Sequence, residues 1–329
     1  MIETLDRWIF SKRQDATTMI EDQYEIGPYT IEKTKHHYIL RKDDNVIGVF
    51  KSCQIQGYKA LLEKRWHTYI EVTPSGCREV ISVLKARLLA GIAGDGAVWK
   101  TSFKFINSDH KLLNMYMEAL KEVYKVEHPH IYIDYREGKN KPCYHIVVND
   151  VEMARDVKKY IKKKGAEYWR IPIKNLTKEA AIEFINFYLS CDGTIDIRPH
   201  KSTAEIVFKS ESIEALRDLK QLLKQFFNIT THFRKPQYNK GVPTYRLAVS
   251  GRREVKKFLR HGLTSYRTDH KAKLKKLRQW VFRVGGQIYS SIEYPCFIEV
   301  LAPPPGFEPG ARARQARMLT GLHHGGYFI

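Results

Sequence analysis

The stretch FKFINSDHKLLNMYMEALKEVY, residues 103–124, returns in altered form as IVFKSESIEALRDLKQLLKQFF at residues 206–227. Phe105, Leu113, Tyr116 and Leu120 of the first copy line up with Phe208, Leu216, Leu219 and Leu223 of the second. Each copy reads as a strand end, a polar break and an amphipathic helix with apolar residues three and four apart. The agreement continues downstream. HIYIDYREGKNKPCYHIVVND (130–150) pairs with THFRKPQYNKGVPTYRLAVSG (231–251). Each is two alternating strands around a turn, at Gly138-Lys139-Asn140 and Asn239-Lys240-Gly241. Tyr144, Ile146 and Val148 fall opposite Tyr245, Leu247 and Val249, and a short basic helix follows near 151–163 and 252–261. The same elements in one order, twice, mark a tandem duplication from about residue 77 to 283, which settles most of the topology before any motif is considered.

A duplication requires a partner for every element. Ahead of the first copy stands LLAGIAGDG (88–96), and ahead of the second INFYLSCDG (185–193). No charge occurs from Leu88 to Gly94 or from Phe184 to Cys191. A helix uncharged around its whole circumference is buried on all sides. Thr177 is placed to cap the second helix, with Glu179 and Glu183 in its first turns. Gly96 is a natural residue for leaving the first helix in the left-handed conformation. That leaves Asp95 and Asp192 at C-terminal helix ends, where carbonyls already carry negative charge and a carboxylate is disfavoured by roughly 0.3–1 kcal/mol.

On these two stretches and the repeat behind them, the chain resembles the LAGLIDADG homing endonucleases in their single-chain, two-motif form. Aligned on the Asp-Gly pair, residues 88–96 match the motif well, and residues 185–193 match it mainly at their end. The resemblance covers roughly residues 77–283. It implies an α+β fold of tandem αββαββα half-domains forming a pseudo-two-fold saddle. It also implies site-specific, metal-dependent cleavage of double-stranded DNA, one aspartate serving each strand. Asp95 and Asp192 are then the catalytic metal ligands. The helix-end carbonyls of Gly94 and Cys191 stand beside them as further metal ligands. A site made only of oxygen suits Mg²⁺, or another divalent cation such as Mn²⁺. Family members also carry a basic or polar residue per half near the attacking water; Lys104 and Lys209 are candidates, with Asn107 a further option. Small residues at Ala90 and Gly94 permit close helix approach. Phe187 departs from the pattern: either Ala90 and Gly91 leave room for it, or the pair tilts and the second site loosens.

Charge points the same way. The 329 residues carry a net charge of +20, yet residues 1–76 hold eleven Lys plus Arg and eleven Asp plus Glu. The whole excess lies in the duplicated part and beyond, and favours a polyanionic partner. Basic residues alternate with apolar ones along the expected strands: Lys100 and Lys104; Arg136, Lys139 and Lys141; Arg198, Lys201 and Lys209; Arg234, Lys235, Lys240 and Arg246. Period two turns one face to the core and the other to a duplex groove. Residues 266–280 read as a further basic helix.

The expected domains are 1–76, a small α+β accessory domain; 77–165 and 166–283, the two halves; and 284–329, a largely disordered Pro-, Gly- and Arg-rich extension. KALLEKRWHTYI (59–70) reads as a helix or a further strand. Five scattered cysteines without a CxxC pair argue against a disulfide frame or zinc knuckle and favour a cytoplasmic setting. No apolar run is long enough to span a membrane. The first residue is neither Cys nor Ser and no His-Asn ends the chain, which favours an intron-encoded monomer over an intein. Two alternatives use the same scaffold without cutting: a maturase acting on intron RNA, and a non-catalytic DNA-binding protein.

Overall fold

A computed structural model describes residues 20–135, 142–198, 203–239, 241–284 and 287–288. Residues 20–81 form eight strands in two antiparallel meanders. The first is β1 (Ile20–Ile26), β2 (Tyr29–Thr34), β3 (Tyr38–Lys42) and β4 (Asn45–Phe50); the second is β5 (Ser52–Gln56), β6 (Lys59–Arg65), β7 (Thr68–Thr73) and β8 (Gly76–Ile81). Ile26, Tyr29, Ile31, Leu40 and Phe50 of one pack with Ala60, Leu62 and Val72 of the other in a small shared core.

Over the described residues of this region every element is a strand, and the last runs to Ile81. In KALLEKRWHTYI the decisive pattern is Ala60 and Leu62 buried on one face, with a turn at Trp66 and His67, both left-handed at φ 52°. The two meanders also echo one another in sequence: IEKTKHHYI (31–39) against LEKRWHTYI (62–70), with Ile31 and Leu62 both fully buried.

The duplicated part follows as α1 (Val83–Ala93), β9 (Gly96–Val98), β10 (Phe103–Asn107), α2 (His110–Tyr124), β11 (His130–Asp134), β12 (Cys143–Val148) and α3 (Val151–Ile161). A 3-10 turn at Ile173–Asn175 leads to the second half. That half is α4 (Lys178–Asp192), β13 (Gly193–Arg198), β14 (Thr203–Ser210), α5 (Ile213–Phe227), β15 (His232–Asn239), β16 (Val242–Ser250) and α6 (Arg252–Arg260), after which comes α7 (His270–Phe282). This is αββαββα twice, the tandem architecture expected. The sheets have matching strand orders, β11-β12-β10-β9 and β15-β16-β14-β13. Phe105 pairs with Gly96 and Ile146, and Phe208 with Gly193 and Leu247, so for these strands the sequence alignment is also the structural one, while in the outer strands the register differs by one and Tyr132 matches Arg234. Helices cover one face of each sheet, over Phe103, Phe105, Ile146, Phe208, Leu247 and Val249; the other face is open.

A buried polar network fastens the β-region to the first half. Lys85, fully buried on α1, donates to Thr68 Oγ1 at 2.7 Å and pairs with Asp156 at 2.7 Å. Tyr124 also donates to Asp156, and Tyr160 to Glu79, both at 2.8 Å. Each acceptor is thus matched to a donor, as burial demands. Chain contacts group residues up to Phe282 in one unit and those from Arg283 in another. Of the second, the described part is a ribbon pairing β17 (Arg283–Val284) with β18 (Gln287–Ile288). The remaining extension, both hairpin-turn centres, and Arg136, Lys139, Lys141, Lys201 and Lys240 lie outside the described residues. No helix among the described residues is long and apolar enough to cross a membrane.

Candidate active site

The helices α1 and α4 pack side by side. Thr177 caps α4 by accepting from the Ala180 N–H at 3.2 Å, as expected, and Ser82 does the same for α1 from Lys85 at 3.1 Å. Arg87 and Glu183, the charged residues just outside the two uncharged runs, join the helices by a 2.6 Å bond, and Tyr266 donates to the same carboxylate at 2.6 Å. At the other end a Cβ on Gly94 would fall 2.5 Å from the Cβ of Cys191, closer than any side chain tolerates. Gly91 performs the same service for Phe187, whose ring atom stands 3.1 Å from where a Cβ would be. Phe187 is fully buried, beside Phe105 and Tyr266. The small residues that meet the partner helix most closely are thus Gly91 and Gly94, and they leave room for the residue that departs from the motif.

The glycine after each aspartate has a different duty from the one expected. Gly96 is not left-handed, and Gly193 is extended at φ −104°. What each provides is space. A Cβ on Gly96 would meet the Ile92 Cα and the Lys104 carbonyl oxygen at 2.6 Å; one on Gly193 would meet the Leu189 carbonyl oxygen at 2.3 Å. Each strand turns back directly over the helix it leaves, and only a hydrogen fits.

Asp95 and Asp192 are drawn together by this packing. The Cys191 thiol hydrogen-bonds Asp95, which also accepts from Asn107 Nδ2 at 2.7 Å. Burial pushes the Asp95 carboxyl up, against the pull of Cys191, Arg267, Asn107 and Lys163. Burial, and then the charge of Asp95, push Asp192 up to about 7, while Lys163 and Lys209 pull it down. Two desolvated carboxylates that repel one another describe a place short of positive charge. Among the described residues, no group of three or more His, Cys, Asp and Glu could hold a metal ion. Two hard carboxylates nevertheless suit Mg²⁺, which completes its shell with water and phosphate oxygens.

Lys163 and Arg267 were not anticipated. Lys163, buried just beyond α3, donates to the carbonyls of Ile92 at 2.8 Å, Ala93 at 3.1 Å and Gly96 at 2.7 Å, so it satisfies the C-terminal end of α1. Burial brings it down to about 8 despite both aspartates. Arg267 precedes α7 and acts on Asp95 from the other half. Lys163→Met leaves three carbonyls without their donor, an expected loss of about 1–3 kcal/mol. It also removes a cation that holds both acids down, so the pH profile of any acid-dependent activity moves to higher pH. Denaturant unfolding and a pH titration of that activity check both.

Asp192 gives a second test with a defined sign. Its folded-state pKa of about 7 lies above the ordinary 3.8, so the stability gained from proton binding is full below 3.8 and is lost as pH rises through 7. In EDTA, Asp192→Asn should melt at nearly the wild-type temperature at pH 4–5 and above it at pH 8. Added Mg²⁺ should narrow the pH 8 difference by stabilising the wild type alone.

Lys104 and Lys209 do not occupy equivalent places. Lys104 precedes Phe105 and lies over the Trp99 ring at 5.3 Å; Lys209 follows Phe208, and its counterpart is Ile106. The position of Asn107 is taken in the second half by Ser210, which accepts from Trp169 Nε1 at 3.2 Å. Of the expected groove residues, Lys100, Arg198, Arg234 and Lys235 are exposed, and Lys104, Lys209 and Arg246 are half-buried. Arg198 donates to Asp196 at 2.8 Å and Arg234 pairs with Glu205. The four described cysteines, Cys53, Cys77, Cys143 and Cys191, are free.

A family profile described as a LAGLIDADG-like domain matches residues 179–261. The replication factor C small subunit of Methanocaldococcus jannaschii is 28% identical over 256 residues, 75% of this chain, which spans only 13% of that protein's length. Similar solved structures include I-DmoI in complex with DNA and Mn (15% identity, TM-score 0.40, 56% of this chain and 98% of that one). The homing endonuclease I-WcaI bound to its DNA recognition sequence is another (14%, TM-score 0.42, 58% and 85%). One acid-tipped helix from each half thus packs against the other, and the second half, over residues 179–261, is similar to a LAGLIDADG-like domain.

Proposed function

We propose that this protein is a site-specific endonuclease of the intron-homing kind, cutting both strands of a DNA duplex laid across its two open sheet faces. The observation that carries the reading is the close packing of Gly94 on Cys191, the residues just before Asp95 and Asp192, where α1 and α4 touch and the charge of Asp95 acts on Asp192. Asp95 and Asp192 would hold a divalent cation, Mg²⁺ or Mn²⁺. Such an ion supplies Lewis acidity, acidifying an attacking water and neutralising a departing 3′ oxygen. The chain's own groups prepare the place. Asn107 and the Cys191 thiol fix the Asp95 carboxylate. Lys163 holds the end of α1 and, with Arg267 and Lys209, brings positive charge to a site that must accept phosphate. The open sheet faces carry Lys and Arg where a β-ribbon meets a major groove.

The test is incubation of the protein and Mg²⁺ with DNA spanning the intron-less insertion site of its host gene. A double-strand cut that EDTA prevents is the expected result. Tight duplex binding without a cut supports a non-catalytic DNA-binding protein, and preference for intron RNA supports a maturase.

A further inference from the structure

The two open sheet faces sit at matching positions of one repeat, yet one matching row of residues differs in chemistry between them. Along the row beside the acid pair, the first sheet places Ile106, His145 and Tyr132 on β10, β12 and β11. The second places Lys209, Arg246 and Arg234 on β14, β16 and β15. These six residues correspond one to one, because Phe105 and Phe208 occupy the same place in their sheets. Tyr132 stacks on His145 with ring centres 4.3 Å apart and planes 26° apart, leaving an aromatic and aliphatic surface. Just past β9, the next strand over, stands Trp99, which is 46% exposed.

The second row is cationic, and acceptors are interleaved with it. Arg198 donates to Asp196, Arg234 pairs with Glu205, and Asp196 and Glu205 stand opposite one another across β13 and β14. The Nε of Arg246 is buried without a hydrogen-bond partner among the described residues. A guanidinium matches the O6 and N7 acceptors of guanine, a carboxylate accepts from the cytosine amino group, and an apolar side chain meets the thymine methyl.

We infer that the halves read differently composed half-sites, the second sheet a G·C-rich one and the first an A·T-rich one with thymine methyls toward Ile106 and Tyr132. This rests on the proposal that the partner is duplex DNA. Strands stand about 4.8 Å apart, so each row reaches across the groove rather than along a single base step, and contacts on one sheet are independent of those on the other. The bend of the backbone by a bulge between Arg234 and Gln237 belongs to the second sheet alone, and sets its outer strand apart from the regular β11.

The experiment selects bound duplexes from a pool with a randomised stretch, using the full chain in EDTA, and repeats the selection with Arg234→Ala and Tyr132→Ala. Both side chains are exposed, and unchanged melting temperatures confirm folding. The expected site has a guanine-rich block and an A·T-rich block. Arg234→Ala should weaken guanine preference by about ten- to hundredfold in the first block alone, and Tyr132→Ala should relax the second block alone. Two blocks of like composition, or both variants altering one block, overturn the inference and leave the nuclease reading standing. Retention of no duplex, or of RNA only, overturns both.

Discussion

Asp95→Asn and Asp192→Asn are each expected to abolish double-strand cleavage while the duplex stays bound. Asparagine has nearly the shape of aspartate, so the packing of Gly94 on Cys191 and the bond from Asn107 are left largely in place. What disappears is half of the negative charge that would hold a cation. Loss of a directed electrostatic contact at a developing charge lowers turnover by about 10²–10³-fold, and loss of a metal ligand should do no less. Binding moves the other way if at all, because removing an anion from a phosphate-facing floor reduces repulsion. Supercoiled plasmid carrying the target separates the outcomes: linear product reports both strands, open circles report one. Wild-type yields of linear product from either variant would sink the assignment of these acids. Open circles from Asp192→Asn alone would show that the two half-sites act separately, in keeping with their different surroundings, Asn107 beside Asp95 and Ser210 tied to Trp169.

The parts legible in the sequence are those written in local periodicity. The duplication, the uncharged helices, the Thr177 cap and the two aspartates all follow from patterns a few residues long, and each recurs in the second copy as a check. The β-region was ambiguous because KALLEKRWHTYI satisfies both a helical and an alternating pattern; the pairing of Ala60 with Val72 decides it. Lys163 was illegible for another reason. It is one of three consecutive lysines, and only the left-handed turn at Lys162 selects which of them points under α1. Arg267 stands 172 residues from Asp95 in a segment that reads as a surface loop. Lys104 and Lys209 look alike along their strands, but registration against Phe105 and Phe208 shows them two positions apart. Phe187 left two readings open along the sequence, and the space at Gly91, on the other half of the chain, decides for accommodation.

That cross-half fit yields the second large expected effect. Gly94→Ala introduces a Cβ where the Cβ of Cys191 already stands 2.5 Å away, and carbon atoms need about 3.5 Å. Neither atom is the end of a flexible side chain, so α1 and α4 must part by about 1 Å near the acids. Overpacking of this kind costs about 1–3 kcal/mol, and a misplacement of that size at a reacting centre about 10²-fold in rate. Stability loss alone could mimic the second effect, so the pairing with Cys191→Gly decides between them. In the double variant the offending contact is gone, and the helices can close again. Its glycine still weakens α4 by about 1 kcal/mol and lacks the thiol that bonds Asp95. The expected pattern is therefore a rate restored to that of Cys191→Gly alone, without a matching return of melting temperature. A double variant as slow as Gly94→Ala would mean that the closeness of the two helix ends is not what brings the acids into working register.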